Sequence, residues 1–328
     1  MKQLTDNYKR KLKYLRVSVT DRCNLRCNYC NPLTPQTMLT HDDILQYEEI
    51  LRIIKAGVGF GINKIRVTGG EPLVRKGLCG FIAELNKISE LKDVSLTTNG
   101  VLLKDYIDEL IDAGIKRINI SLDSINKENF AKITGRDYFE KVWEGVELAL
   151  KKGIEPLKIN VVAMRGVNSH EFLDFARLTF DYPLQIRFIE YMPIGDARMQ
   201  SRQQILTPET KEILQELGEL IPVKNQANDG PAFRYRFSNA KGEIGFISPI
   251  SRHFCSDCNR LRLTANGKIR SCLLSDHQFD IKTPLRNGMT DDEIRNLFKI
   301  ALNNKAGVHC IGSSEDYKVN TNMSAIGG

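Results

Sequence analysis

Short apolar segments alternate with longer amphipathic segments between about residue 14 and residue 220. The short segments are typical of buried strands, and the longer ones have the 3.6-residue period of helices that bury one face. The predicted strands are Tyr14–Thr20, Lys64–Thr68, Val94–Thr98, Arg117–Leu122, Leu157–Ala163 and Gln185–Glu190. The predicted helices are Asp43–Gly57, Gly77–Ser89, Leu103–Gly114, Phe139–Lys152 and Ser169–Phe180. This alternation predicts an α/β fold with a parallel sheet, curled into an incomplete TIM-like (β/α)6 barrel.

The pattern changes after about residue 222, where short strands follow one another. We predict strands at Phe233–Phe237, Glu243–Ile247, Arg260–Leu263 and Lys268–Leu273, then a helix at Asp291–Asn303. Asn266 followed by Gly267 is a strong type I′ hairpin signal. We therefore predict two domains: residues 1–222 form the partial barrel, and residues 223–328 form a C-terminal hairpin and helix extension.

Alternate residues of the first six strands separate into an apolar and a polar face. The apolar face is expected to pack against the helices, which leaves the polar face to line the interior. The polar face consists of Arg16, Ser18, Thr20, Lys64, Arg66, Thr68, Ser95, Thr97, Asn99, Asn119, Ser121, Asp123, Lys158, Asn160, Gln185 and Arg187. Five of these residues are cationic and only Asp123 is acidic, so the interior is expected to bind a polyanion such as a phosphate ester. The alternative is an internal salt-bridge network with acids placed elsewhere.

Three cysteines follow the first strand at C-x3-C-x2-C spacing, namely Cys23, Cys27 and Cys30. Thiolates favour iron–sulfur clusters, zinc or copper(I). A structural zinc site normally has four protein ligands, and no fourth cysteine or histidine lies nearby. A four-iron cluster held by three thiolates has one open iron, which can bind a small molecule. The glycines at 69 and 70 in the run Gly-Gly-Glu-Pro, after the second strand, allow a close backbone approach; the alternative there is an ordinary tight turn.

A second triad, Cys255, Cys258 and Cys272, has C-x2-C-x13-C spacing and brackets the predicted hairpin. The alternative is a zinc knuckle with His253 or Cys310 as the fourth ligand. Arg260 and Arg262 alternate on one face of the hairpin, so two cations project beside the metal. A structural zinc site does not require these cations, which favours a second open cluster.

Composition excludes several classes of protein. The chain has 328 residues, a formal net charge of +7 and a mean hydropathy of −0.30. The basic residues do not alternate with aromatics, which argues against a nucleic-acid interface. No apolar run approaches the ~18 residues of a membrane span, and the basic N-terminal segment lacks the apolar region of a secretory signal. We predict a cytoplasmic protein whose cysteines are reduced and bind metal.

These motifs resemble those of radical S-adenosylmethionine (SAM) enzymes, through the first triad with Tyr29 and the Gly69–Pro72 run. The second triad with Asn259–Arg262, together with Gly327–Gly328, is similar to one family in particular, the GTP 3′,8-cyclases of molybdenum cofactor biosynthesis. Their lyase-type reaction converts GTP to 3′,8-cyclo-7,8-dihydroguanosine 5′-triphosphate. The resemblance covers essentially the whole chain.

The resemblance implies two 4Fe-4S clusters, with SAM bound at the first and the guanine base at the second. Reductive cleavage of SAM gives a 5′-deoxyadenosyl radical that removes hydrogen from C3′ of GTP, and C3′ then bonds to C8. It also implies a reductant such as flavodoxin or ferredoxin, product transfer to cyclic pyranopterin monophosphate synthase, and a monomer or homodimer. Neither nucleic acid nor a membrane is expected as a partner.

The resemblance also implies roles for individual residues. Catalytic roles fall to the first triad and to Gly327 and Gly328, which we expect to insert into the chamber rather than fray. The SAM contacts are Tyr29, Gly70, Ser121 and Met192. The GTP contacts are Arg16, Lys64, Arg66, Thr97, Lys158, Arg187, Arg260 and Arg262. Two other classes stay open: a peptide-modifying radical enzyme with auxiliary clusters, and a zinc-ribbon nucleic-acid binder.

Overall fold

The computed structural model describes residues 3–30, 38–195, 203–224, 230–309 and 319–327. The strands in these ranges are β1 Tyr14–Ser18, β2 Lys64–Thr68, β3 Asp93–Thr98, β4 Ile118–Ser121, β5 Leu157–Ala163, β6 Gln185–Glu190, β7 Ile221–Val223, β8 Phe233–Arg236, β9 Glu243–Ile247, β10 Arg260–Leu263, β11 Lys268–Arg270 and β12 Gln278–Asp280. The helices are α1 Tyr47–Val58, α2 Leu78–Asn86, α3 Leu103–Asp112, α4 Lys127–Thr134, α5 Phe139–Lys151, α6 Phe172–Asp181, α7 Thr207–Leu214, α8 Lys282–Arg286, α9 Asp291–Asn303 and α10 Met323–Ile326.

These strands form one sheet in the order β12-β11-β10-β1-β2-β3-β4-β5-β6-β9-β8-β7. The eight central strands, from β10 to β9, run parallel. Antiparallel strands extend both edges, and the two edge strands, β12 and β7, do not pair with each other in the described ranges. The sheet is therefore an incomplete barrel, as the strand–helix alternation predicted.

The apolar face of the sheet packs against the crossover helices. Its side chains, such as Val17, Ile65, Leu96 and Ile120, are fully buried. The helices contribute one apolar side each, as in α1, where Ile50, Ile53 and Ile54 are buried while acidic residues occupy its first turn. The main core therefore lies between sheet and helices, which leaves the other face for a site.

The C-terminal strands differ from the prediction in one respect. β9 pairs with β6 and β10 pairs with β1, so the segment after residue 222 completes both sides of the same sheet. The predicted boundary itself falls within β7. The division into residues 1–222 and 223–328 therefore stays a prediction, made from a change of pattern that does not coincide with a change of sheet.

Candidate functional site

The polar face of the sheet lines one chamber. Side chains from all eight parallel strands contribute to its wall, and both cysteine triads lie in it. The space free of protein atoms is about 2060 Å³, a figure that includes the open solvent at its mouth. Both triads and the polar strand face therefore border one continuous space.

The first triad lies on the loop that leaves the carboxyl end of β1. Backbone hydrogen bonds fix this loop to the end of α4: the Arg26 amide donates to the Thr134 carbonyl at 2.8 Å, and the Asn28 amide to the Ile133 carbonyl at 2.9 Å. Burial is the main cause that raises the pKa of all three thiols, to about 12 for Cys30. None of the seven described cysteines is in a disulfide.

The glycine pair after β2 supports the same loop. A Cβ on Gly70 would lie 2.3 Å from the carbonyl oxygen of Arg22, so only glycine fits there. The next residue, Glu71, is 1% exposed. Its carboxylate accepts hydrogen bonds from the Leu73 amide at 3.0 Å and the Asn99 amide at 2.6 Å, yet burial raises its pKa to about 7. The run therefore holds the β2 and β3 ends against the first triad.

The structure brings the predicted SAM contacts together. Tyr29, Gly70, Ser121 and Met192 all line the chamber. Met192 packs against the same small apolar cluster as Cys272 of the second triad. The Tyr29 hydroxyl donates a hydrogen bond to Asp123 at 2.5 Å. Burial raises the pKa of Asp123 to about 6, and burial and the Asp123 charge raise the pKa of Tyr29 well above its usual range. Their assignment to SAM stays a prediction.

The second triad lies on the loops that flank β10 and β11. Arg10, near the start of the chain, is buried and donates to the carbonyls of Cys255 at 2.7 Å and Ala306 at 2.8 Å. Asp6 pairs with the same guanidinium at 2.5 Å, which orients it. The N-terminal segment thus fixes the Cys255 loop, a role for which the sequence offers no motif signal.

Lys305 is a second residue that sequence analysis missed. Its ammonium group is buried and donates to the carbonyls of Arg260 at 3.0 Å and Ser271 at 2.5 Å. It also lines the chamber beside Cys258. Burial raises the pKa of Cys258, but the charges of Lys305 and Arg260 and the hydrogen bonds to the thiolate outweigh burial and lower it to about 7.

Most of the predicted GTP contacts share the chamber wall: Arg16, Lys64, Arg66, Thr97, Arg187, Arg260 and Arg262. Lys158 is buried on the same face of β5 but is not part of the chamber wall. The parallel pairing of β1 with β10 aligns Arg16 with Arg262. Cations from opposite ends of the chain thus meet at one place.

The expectation that Asp123 is the sole acid of the polar face is wrong. Asp93 begins β3 on that face, and its carboxylate lies 2.8 Å from the Lys64 ammonium and 2.8 Å from the Arg117 guanidinium. The predicted strand began one residue later, at Val94, so Asp93 was left out of the predicted polar face. Lys64 is therefore part of an internal ion-pair network, the alternative that the sequence left open.

Gly327 is buried against Arg262 and Thr68 of the chamber wall. Its carbonyl accepts a hydrogen bond from Arg262 Nη1 at 2.5 Å, and a Cβ on it would lie 2.8 Å from the Ser18 Cβ. Its φ of +82° is a conformation that glycine adopts freely. Gly328, Cys310 and residues 31–37 lie outside the described residues.

The fit of the triads to iron–sulfur clusters depends on the chemistry of the donors. Each triad supplies three thiols to the same chamber, and soft thiolates are the usual ligands of such clusters. In the described part of the chain, no three cysteine, histidine or acidic side chains converge on the position of a single metal ion. His253, the proposed fourth ligand of a zinc knuckle, lines the chamber and packs 5.8 Å, ring to ring, from His309.

Two family models match the chain, "Radical SAM superfamily" over residues 17–179 and "Molybdenum Cofactor Synthesis C" over residues 184–311. The GTP 3′,8-cyclase of Moorella thermoacetica is 45% identical, and that of Thermodesulfovibrio yellowstonii 46% identical; each match covers 99% of this chain and all of the relative. This chain belongs to the GTP 3′,8-cyclase family. The family resemblance drawn from the two triads is thereby confirmed.

A likeness to solved structures supports the fold of this family member. Streptococcus suis SuiB bound to S-adenosylmethionine superposes with a TM-score of 0.64 and 13% identity, over 89% of this chain and 69% of SuiB. SuiB bound to its precursor peptide gives the same TM-score at 12% identity, over 96% and 76% of the two chains. Among the described residues, no helix has the length and hydropathy needed to cross a bilayer.

Proposed function

We propose that this member of the GTP 3′,8-cyclase family converts GTP to 3′,8-cyclo-7,8-dihydroguanosine 5′-triphosphate, the first step of molybdenum cofactor biosynthesis. The observation that carries the proposal is the chamber whose wall contains both cysteine triads together with a group of cations. Full-length relatives with that name, 45% and 46% identical, support it.

The chain's own residues fit the two clusters and SAM. Cys23, Cys27 and Cys30 would hold one 4Fe-4S cluster, and Cys255, Cys258 and Cys272 the other. SAM bound at the first cluster supplies, on one-electron reduction, the radical chemistry of the reaction. Tyr29, Gly70, Ser121 and Met192 would then bind and orient SAM within the same wall.

The cationic residues would hold GTP between the triads. Arg16, Arg66, Arg260 and Arg262 are buried or half-buried in the chamber wall, where Arg forks suit phosphate oxygens. Thr97, Lys64, Lys158 and Arg187 complete the proposed set. Gly327 would position Arg262, since its carbonyl accepts that guanidinium's hydrogen bond.

The proposed external partners are an electron donor of the flavodoxin or ferredoxin kind and cyclic pyranopterin monophosphate synthase, which would take up the product. We propose a cytoplasmic location and a monomer or homodimer. A pull-down under anaerobic conditions and size-exclusion chromatography would test these proposals directly.

Anaerobic assay tests the function. Reconstituted protein should contain about eight irons per chain, and with dithionite, SAM and GTP it should form 5′-deoxyadenosine and the cyclised nucleotide together. Protein that contained zinc and no iron would contradict the proposal, as would 5′-deoxyadenosine formation with a peptide substrate and none with GTP.

The role of the terminal glycines is tested by a deletion of Gly327 and Gly328. We expect turnover to be lost while the iron content stays at that of the full chain, because Arg262 loses the carbonyl that positions it. Full activity in the truncated protein would refute a catalytic role for the tail.

A further inference from the structure

Tyr14 is the first residue of β1 and lines the chamber two residues before Arg16, on the same face. Its side chain is almost completely buried, at 6% exposure. Four cations from three strands surround its ring. The distances from the ring centroid are 5.9 Å to the Arg16 guanidinium, 5.3 Å to the Lys64 ammonium, 5.9 Å to the Arg66 guanidinium and 5.8 Å to the Arg260 guanidinium.

The Tyr14 hydroxyl is buried and has no hydrogen-bond partner among the described residues. The Nε of Arg16, in the same wall, is buried without a partner as well. Lysine and arginine side chains only donate, so the surrounding cations offer no acceptor for the phenol proton. A buried polar group without a hydrogen-bond partner destabilises the folded protein. The Tyr14 hydroxyl and the Arg16 Nε, which are both donors, therefore point to a ligand that brings acceptor oxygens and negative charge.

The charges around Tyr14 tell how such a ligand would act on it. Burial raises the pKa of Tyr14, but the charges of the four surrounding cations together outweigh burial and lower the pKa to about 7. Asp93 on β3 offsets part of this field through its 2.8 Å contact with Lys64. A polyphosphate would neutralise the cations and repel a phenolate, so the tyrosine would bind it in the protonated form.

We propose that Tyr14 contacts the substrate directly, its hydroxyl donating a hydrogen bond to a phosphate oxygen of the GTP triphosphate between the four cations. This inference rests on the proposed function. Where Tyr14 is ionised before binding, its oxygen takes one proton from solvent; no other bond forms or breaks. Tyr14 thus couples triphosphate binding to proton uptake.

Tyr14→Phe tests this role, because it keeps the ring and its cation contacts and removes only the hydroxyl. Binding of GTP, GDP, GMP and guanosine to the anaerobic, unreduced holoprotein is measured by calorimetry in buffers of different ionisation enthalpy, at pH 6.5 to 8.5. We expect the Kd for GTP to rise about tenfold to a hundredfold, which corresponds to about 1.4–2.8 kcal/mol. The Kd for guanosine should not change.

Tyr47→Phe is the matched control, since the Tyr47 hydroxyl is also buried and has no hydrogen-bond partner in the described part of the chain, but Tyr47 does not line the chamber. Both variants are compared at equal iron content. In the wild type, GTP affinity should fall as pH rises above 7, and proton uptake should be larger than in Tyr14→Phe. Ionisation of the γ-phosphate would instead raise the affinity as pH rises. The sign of the pH dependence therefore distinguishes ionisation of Tyr14 from ionisation of the γ-phosphate.

The outcomes distinguish two failures. If the wild-type holoprotein binds no GTP, the proposed function is wrong. If it binds GTP and Tyr14→Phe has the same Kd and the same proton uptake, Tyr14 makes no phosphate contact. An equal loss of affinity for guanosine would likewise overturn the inference. If Tyr14→Phe loses its clusters, GTP binding to the wild type still tests the inference. An affinity that does not fall as pH rises above 7 would overturn it.

Discussion

The two cysteine triads have the same thiol donors, but Cys30 of the first and Cys258 of the second lie in opposite electrostatic surroundings. Burial raises the pKa of Cys255 in the second triad, as it does in the first. The first lies beside Asp123, and the pKa of Cys30 rises to about 12 through burial and the charges of Cys23 and Asp123. The second lies beside Lys305 and Arg260, which hold the pKa of Cys258 near 7 despite burial. Thiols with the same ligand chemistry thus have different pKa values because different charged residues lie next to them.

This difference predicts different reduction potentials. The potential of an iron–sulfur cluster depends on net charge and on hydrogen bonds to its sulfurs. Cations stabilise the more negative, reduced state, so we expect the second site to have the higher potential. A low potential suits the site proposed to deliver an electron to SAM, and a higher one suits the site proposed to hold the guanine base.

Removing one ligand from each triad gives the largest expected effect. Cys30→Ser should abolish 5′-deoxyadenosine formation, because the first site loses a third of its protein ligands. Cys272→Ser should keep SAM cleavage and lose the cyclised nucleotide. Chromatography of both products checks this, with Cys79→Ser as the control outside the triads. If both variants lost 5′-deoxyadenosine formation and nucleotide cyclisation equally, the two triads would not have separate roles.

Thiol alkylation of the apoprotein compares the triads directly. At pH 7, about half of Cys258 is thiolate against about one part in 10⁵ of Cys30. The more basic thiolate is intrinsically more reactive, which reduces the difference in rate to roughly 150- to 500-fold. The Cys258 rate should level off above pH 7 while the Cys30 rate continues to rise.

Peptide mapping after timed iodoacetamide treatment provides the measurement. In denaturant the two cysteines lose their different surroundings, so their rates should become similar. Similar rates already in the native protein, at every pH, would contradict the electrostatic contrast between the triads.

Replacing the cation beside the second triad gives an intermediate effect. Lys305→Met should lower the reduction potential of the second cluster by on the order of 100 mV, since a unit charge a few Å away contributes about 1–4 kcal/mol. A redox titration followed by electron paramagnetic resonance separates the two clusters. Lys299→Met changes an exposed lysine of α9, the helix that ends two residues before Lys305, and should shift neither potential.

If Lys305→Met shifted the potential of the first cluster as much as that of the second, Lys305 would act through the fold rather than through its charge, which would contradict the electrostatic contrast between the triads.

Neutralising the acid beside the first triad gives the smallest effect. Asp123→Asn should lower the pKa of Cys30 by about one unit, because a like charge no longer opposes its ionisation. Alkylation of Cys30 at pH 7 should then be roughly threefold faster, with Cys258 unchanged. An unchanged Cys30 rate would show that the Asp123 charge does not contribute to its pKa.

Periodicity predicted much of the fold and of the chamber wall. β2, β5, β6, β9, β10 and α9 have the predicted bounds. The three-residue strands β7 and β12 were missed because they are too short to show a period, and the eight-residue helix α4 was missed as well. The parallel pairing of β10 with β1 was missed too, because local periodicity carries no information about which distant strand will pair with a given strand.

The site shows the same limit. Tyr14 shares a strand face with Arg16, so alternation alone could have placed it in the chamber. Lys305 and Arg10 had no such signal, since each acts by donating to carbonyls of distant loops. Backbone contacts of this kind leave no trace in spacing or residue type.

The pairing of β10 with β1 also bears on biogenesis. As the chain leaves the ribosome, β1 exposes one unpaired edge until Arg260–Leu263 has been made, some 246 positions after Tyr14. An open edge of this kind is a template for aggregation, and non-local pairing is slow to form. We expect nascent chains truncated before residue 260 to require chaperone protection that the released protein does not.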